Sequence, residues 1–174
     1  MENELVEIKV NGFKIQQIIK DLSHEREVIK THFVPSLKKF GWETKSSPYE
    51  ISDKLLKLES DISSWQALQD AFNINVKVAP LGTTMSLAEA IKAIGGLSRV
   101  QALWQAASKE EENYFGESSR QKDTEYQFLT VSKEDAAAKA KEFSKLVAAF
   151  REAIQKGNAQ ELTFTVNKAI LENA

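Results

Sequence analysis

Apolar and polar residues first alternate, with Val6, Ile8 and Val10 set against Glu7 and Lys9. That two-residue period predicts a half-buried strand over 5–10. Asn11-Gly12 is a turn signal, and from Phe13 the spacing lengthens. Ile15, Ile18, Ile19, Leu22, Val28 and Ile29 form the stripe of an amphipathic helix. Pro35 predicts that this helix ends at Phe33, or bends and continues to Phe40 before Gly41. Ser47-Pro48-Tyr49-Glu50 reads as a helix start, with Ser capping the first amides, Pro presetting φ and Glu reaching back. Ile51, Leu55, Leu58, Ile62, Trp65, Leu68 and Phe72 then recur every three or four residues. Two long helices joined by a short link lie antiparallel.

Alternation returns at Ile74, Val76 and Val78, which predicts a second strand over 74–78, closed by Pro80 and Gly82. Ser86-Leu87-Ala88-Glu89 is another capping box, opening a third helix through Ile91, Ile94, Leu97, Val100, Leu103 and Trp104. Gly95-Gly96 inside it costs about 1 kcal/mol per glycine relative to alanine, so another backbone is expected to approach there. The stretch 108–126 is polar and irregular. Ser132-Lys133-Glu134-Asp135 starts a fourth helix that stops near Gly157-Asn158. Leu162, Phe164 and Val166 alternate with threonines in a third strand, and the last eight residues read as a frayed turn.

The halves echo one another. Glu7-Ile8-Lys9-Val10 ahead of Ile15, Ile18 and Ile19 parallels Asn75-Val76-Lys77-Val78 ahead of Leu87, Ala90 and Ile91. Ala67-Leu68-Gln69 before Asn73 parallels Ala153-Ile154-Gln155 before Asn158. The chain therefore reads as one domain, 1–174, built from pseudo-repeats 5–73 and 74–166. The fold class is mainly α: duplicated β-α-α units giving two long antiparallel helical hairpins tied by a small three-stranded sheet. So short a sheet is marginal alone, so the hairpins must pack on each other or on other subunits.

Composition narrows the chemistry. The 174 residues carry 23 Lys+Arg against 25 Asp+Glu, two His and no Cys. A net charge of −2 argues against an extended nucleic-acid surface. The lack of Cys removes disulfides, thiolate nucleophiles and most structural zinc sites. Three acids in the first seven residues are unlike a secretory leader, and no apolar run approaches the roughly 18–20 residues that span a bilayer. These features predict a cytoplasmic protein without membrane partners.

No catalytic constellation stands out, and no cofactor is called for. His24 and His32 lie eight residues apart on one helix, about 12 Å of rise, too far to share a metal unaided. Neither is near a Gly-x-Ser-x-Gly turn, and Gly95-Gly96-Leu97-Ser98-Arg99 lacks the Lys-Ser/Thr of a phosphate loop. A non-enzymatic binding role fits better. Arg99 and Trp104, followed by Tyr114, Arg120, Lys122 and Tyr126, supply cations for phosphates and aromatic rings for bases. The competing reading makes Trp104 part of the apolar stripe and lets Arg120 and Lys122 balance Glu117, Asp123 and Glu125. Lys38-Lys39, Trp42 and Lys45 form a second basic-aromatic cluster at the tip of the first hairpin.

Gly82, Ser86-Leu87-Ala88-Glu89-Ala90-Ile91, Ala106-Ala107, Tyr114, Arg120 with Lys122, Thr130-Val131, Ile154-Gln155, Asn158 and Glu161-Leu162 carry a resemblance that covers nearly the whole chain. In these positions the chain resembles the septicolysin-like helical-hairpin proteins of bacteria and phages. The link between the third and fourth helices is longer and more acidic here than in that pattern. The resemblance implies a ring-like homo-oligomer, a hexamer by preference. By analogy with phage signal sponges it implies sequestration, without cleavage, of a small nucleotide-like immune messenger in the host bacterial cytoplasm, a cyclic oligonucleotide or ADP-ribose derivative. Two other readings stay open: a helical scaffold for protein partners, and a membrane-active toxin of the kind the family's name suggests.

Overall fold

The structure, a computed structural model, describes residues 4–38, 46–109 and 130–171. Strand β1 (Leu5–Asn11) leads directly into helix α1 (Gly12–Ser36), and α2 (Pro48–Asn75) returns antiparallel along it. A short connection holds β2 (Lys77–Val78), a 3-10 turn (Pro80–Gly82) and β3 (Met85–Ser86). Helix α3 (Leu87–Ala107) leaves, α4 (Lys133–Ala159) returns along it, and β4 (Glu161–Asn167) closes the chain with a 3-10 turn at Lys168–Leu171. The architecture is the expected one of two long helical hairpins, α1 with α2 and α3 with α4.

The small-sheet arrangement differs from the expected single three-stranded sheet. The strands form two separate antiparallel ladders, β1 with β4 and β2 with β3. In the first, Val6 faces Val166, Ile8 faces Phe164 and Val10 faces Leu162, so each apolar residue of β4 meets an apolar residue of β1 on the inward face, while Leu5 pairs with Asn167 and is exposed. Lys9–Glu161 at 2.6 Å and Lys168–Glu4 at 2.9 Å bridge its two ends. The second strand fails to join because the helical spacing wins over the alternation. Val76 follows Phe72 by four residues, continues the buried stripe and caps α2 through its N–H to the Phe72 carbonyl at 2.9 Å. Ile74 is thereby turned to solvent, 60% exposed, and two residues remain for β2.

Two smaller expectations are also corrected. Asn11-Gly12 makes no turn: Asn11 is the N-cap of α1, accepting from the Lys14 amide at 2.9 Å, and Gly12 is already helical. The C-terminal turn is docked instead of frayed, with Ile170 buried and its carbonyl accepting the buried Trp65 indole N–H at 3.3 Å. Pro35 lies inside α1, which stops one residue later.

The core sits where the four helix ends converge on the ladders. Ile15, Trp65, Phe72, Val76 and Leu87 are its largest fully enclosed side chains. Two glycines allow the convergence. A Cβ on Gly12 would lie 2.2 Å from Asn158 Oδ1 and 2.9 Å from Phe72 Cε1; one on Gly157 would lie 2.7 Å from Val78 Cγ1. By contrast, nothing lies within 4 Å of a Cβ placed on Gly96. Gly12→Ala should therefore lower stability by about 2 kcal/mol through overpacking. Gly96→Ala should raise it by about 0.5–1 kcal/mol by removing backbone freedom from a helix interior. Urea titrations followed by far-UV circular dichroism give both values, and equal effects at the two sites would refute this account of the core.

Candidate functional site

Of the six sequence-predicted site residues, Arg99 and Trp104 are described, and both lie on α3. Tyr114, Arg120, Lys122 and Tyr126 lie outside the described residues, as do Lys39, Trp42 and Lys45 of the second cluster. The start of α3 is fixed locally. Ser86 Oγ accepts from the Glu89 amide at 3.2 Å, and Glu89 Oε2 accepts from both the Ser86 amide and hydroxyl at 2.7 Å. Those Ser86 hydrogen bonds, the hydroxyl first and the backbone amide second, hold the Glu89 carboxyl below its ordinary value of 4.5. Burial opposes them more weakly.

From that start the helix carries Arg99 outward. Its guanidinium folds back over Gly95, with Nη1 3.7 Å from where a Cβ would stand. Arg99 is exposed and makes no ion pair among the described residues. Trp104 is half-buried, on the side of Leu97, which packs against the core. Five residues along an α-helix turn through about 140° beyond a full circle. One subunit therefore sets Arg99 and Trp104 on different faces, and a phosphate held by the first is not stacked on the second within a single chain. Contrary to expectation, no other backbone among the described residues approaches the Gly95-Gly96 pair.

Helix α3 is thinly covered, and apolar side chains stand exposed along it. Only Leu87 and Ala90 of the 21 residues in α3 are buried, while Leu103 is 71% exposed and Ile91 and Val100 are partly open. Two hollows occur elsewhere. One of about 430 Å³ lies beside β1, lined by Ile8, Lys9, Val10, Lys14, Ile18, Trp65 and Leu171. The other, about 320 Å³, lies where α1 ends and α2 begins, and includes His32 and Lys54. Sequence reading passed over this second pair, because residues 22 apart meet only once the hairpin register is known. His24 and His32 are both exposed on α1. Among the described residues, no cluster of three or more His, Asp or Glu is placed to hold a metal ion. Nor is any helix among them long and apolar enough to cross a membrane.

No family model and no curated protein matches the chain. The chain is similar in structure to a conserved protein of unknown function from Corynebacterium diphtheriae. The two align with a TM-score of 0.68 and 14% identity over 89% of this chain and 99% of that one. At that identity the likeness is one of fold, and it covers most of this chain.

The lowered Glu89 carboxyl gives α3 a pH signature. A group whose pKa is depressed by folding adds stability above its unfolded value and loses that contribution as pH falls through the folded value. Ser86→Ala should therefore lower the unfolding midpoint at pH 7, with the gap from wild type narrowing as pH drops below the ordinary carboxylate range and leaving the part due to Ser86 Oγ accepting from the Glu89 amide. Thermal melts from pH 7 to pH 2.5 would check this; a gap independent of pH would show that the carboxylate plays no part in the cap.

Proposed function

We propose that this chain acts by binding and not by catalysis, as a homo-oligomer that sequesters a small nucleotide-like anion. The observation that carries this reading is the outer side of α3, an apolar and poorly covered surface with a guanidinium folded over Gly95 that makes no ion pair among the described residues. The side chains missing at Gly95 and Gly96 leave room for a ligand or a second helix to come close. Arg99 offers a planar fork to a phosphate. Because Trp104 faces away from Arg99, the aromatic partner for a base comes from another part of the assembly, Trp104 of a second copy or Tyr114 and Tyr126, with Arg120 and Lys122 adding charge. The resemblance to septicolysin-like proteins supports a ring, and the analogy with phage sponges supports cyclic oligonucleotides or ADP-ribose derivatives as ligands in a bacterial cytoplasm.

A scaffold role is the second reading, favoured by the exposure of Val100 and Leu103 on the same face. Calorimetry with a panel of cyclic dinucleotides and cyclic ADP-ribose isomers separates the two. Binding of one of them, its chemically unchanged recovery after heat denaturation, and an affinity at least about tenfold weaker in Arg99→Gln are the expected results. Sedimentation should show an assembly larger than a monomer. A monomer that takes up none of the panel would overturn the proposal.

A further inference from the structure

The hollow at the far end of the first hairpin has a chemistry of its own. Its polar lining comes from His32 and Ser36 on α1, Lys54 on α2 and Ser46 just ahead of α2, over an apolar floor of Ile29 and Ile51. At about 320 Å³ it falls within the range of small-molecule sites, which combine an apolar wall with a few convergent polar groups.

What marks this group is that its basic side chains have been left free by their own helices. On a helix, a lysine normally finds its carboxylate three or four residues away. Lys30 with Glu27, Lys139 with Glu142 and Lys156 with Glu152 do so here. The corresponding residue for Lys54 is Glu50, but that carboxylate is drawn back to the Ser47 amide at 3.1 Å, where it closes the capping box of α2. For His32, the positions one turn away on either side are Val28, Ile29, Pro35 and Ser36, none of them acidic. Neither Lys54 nor His32 has a salt-bridge partner among the described residues. Among the described residues, an ammonium, an imidazole and two hydroxyls thus line one concavity, and none of the described lining residues is a carboxylate.

We propose that this hollow binds a small phosphate-bearing ligand, with Lys54 and His32 on the phosphate and Ile29 and Ile51 beneath its less polar body. The ammonium supplies charge, while the imidazole and hydroxyls supply hydrogen-bond donors to the remaining oxygens. The site shares no residue with α3 and stands or falls separately from the reading given above.

Inorganic phosphate and adenosine 5′-monophosphate are suitable probes, titrated at constant pH and ionic strength while the His32 and His24 ring resonances are followed. The expected result is a saturable shift at His32 and none at His24, with the nucleotide binding more tightly than phosphate. Lys54→Gln should weaken binding at least about tenfold, His32→Asn should weaken it too, and Lys139→Gln, an exposed change on α4, should leave it unchanged. Circular dichroism confirms that these exposed substitutions leave the fold intact. Several outcomes would overturn the proposal: no shift at millimolar ligand, equal shifts at both histidines, or undiminished binding by Lys54→Gln. Binding lost in Arg99→Gln but kept in Lys54→Gln would place the phosphate on α3 instead.

Discussion

The approach of the α1 N-terminus to the α4 C-terminus is the contact on which the rest of the molecule depends. At Gly12, the hydrogen that stands where a Cβ would be points at Asn158 Oδ1, and the Phe72 ring closes the same space. That oxygen is buried and has no conventional donor among the described residues, so the glycine C–H is its neighbour in place of an N–H. Leaving a buried amide oxygen in that state costs about 1–3 kcal/mol, which only a close and well-filled junction offsets. Next to it, Gly157 lets Val78 and Leu87 press onto the α4 backbone. The first hairpin, the inter-hairpin connection and the second hairpin are thereby locked at one point. The β1–β4 ladder, too small to stand alone, ties the chain ends across it.

Away from that junction the molecule thins. The hairpins touch each other sparsely, and beyond the core each helix has one main neighbour along its length. A pair of helices buries one seam and leaves the opposite faces bare. On α1 and α4 the exposed sides carry charge pairs within one helix, Lys30 with Glu27, Lys139 with Glu142 and Lys156 with Glu152, while Arg26–Glu59 at 3.4 Å spans α1 and α2. Such exposed pairs add little stability. On α3 the exposed positions include Ile91, Val100, Ala102, Leu103, Ala106 and Ala107, interspersed with Glu89, Lys92, Arg99 and Gln105. Stability thus concentrates at the base, while the surfaces with distinctive chemistry sit on the hairpins' flanks and at their far ends.

Much of this was legible in the sequence because the signals were local. The caps at Ser47, Ser86 and Ser132 fall where the serines announce them, and both hairpins follow from the three-and-four spacing. The misreadings arise where two local rules compete or where the decisive partner is distant. Ile74, Val76 and Val78 satisfy a strand period, yet the step from Phe72 to Val76 satisfies a helical one, and α2 takes it because Val76 then reaches the core. Nothing near Ile170 in sequence reveals that Trp65 donates to it from 105 residues away. At the candidate site, the separation of Arg99 from Trp104 could have been read from their spacing alone, since five residues never share a helix face. The meeting of His32 with Lys54 depends on how the two helices align.

That meeting shows how a structural device shapes surface chemistry. Glu50 occupies the third position of α2, where its carboxylate satisfies the Ser47 amide and complements the positive end of the helix. The same residue lies one turn before Lys54, so the requirement that starts the helix withdraws the neighbouring anion from the lysine. Had the cap used an uncharged Gln, the local charge at the helix start would have been lost. With Glu at position 50 the helix is well begun and the ammonium has no carboxylate partner among the described residues, in a concavity whose other described polar groups are a histidine and two serines. The resulting potential favours an anion, and the hydroxyl and imidazole donors favour one with several oxygens.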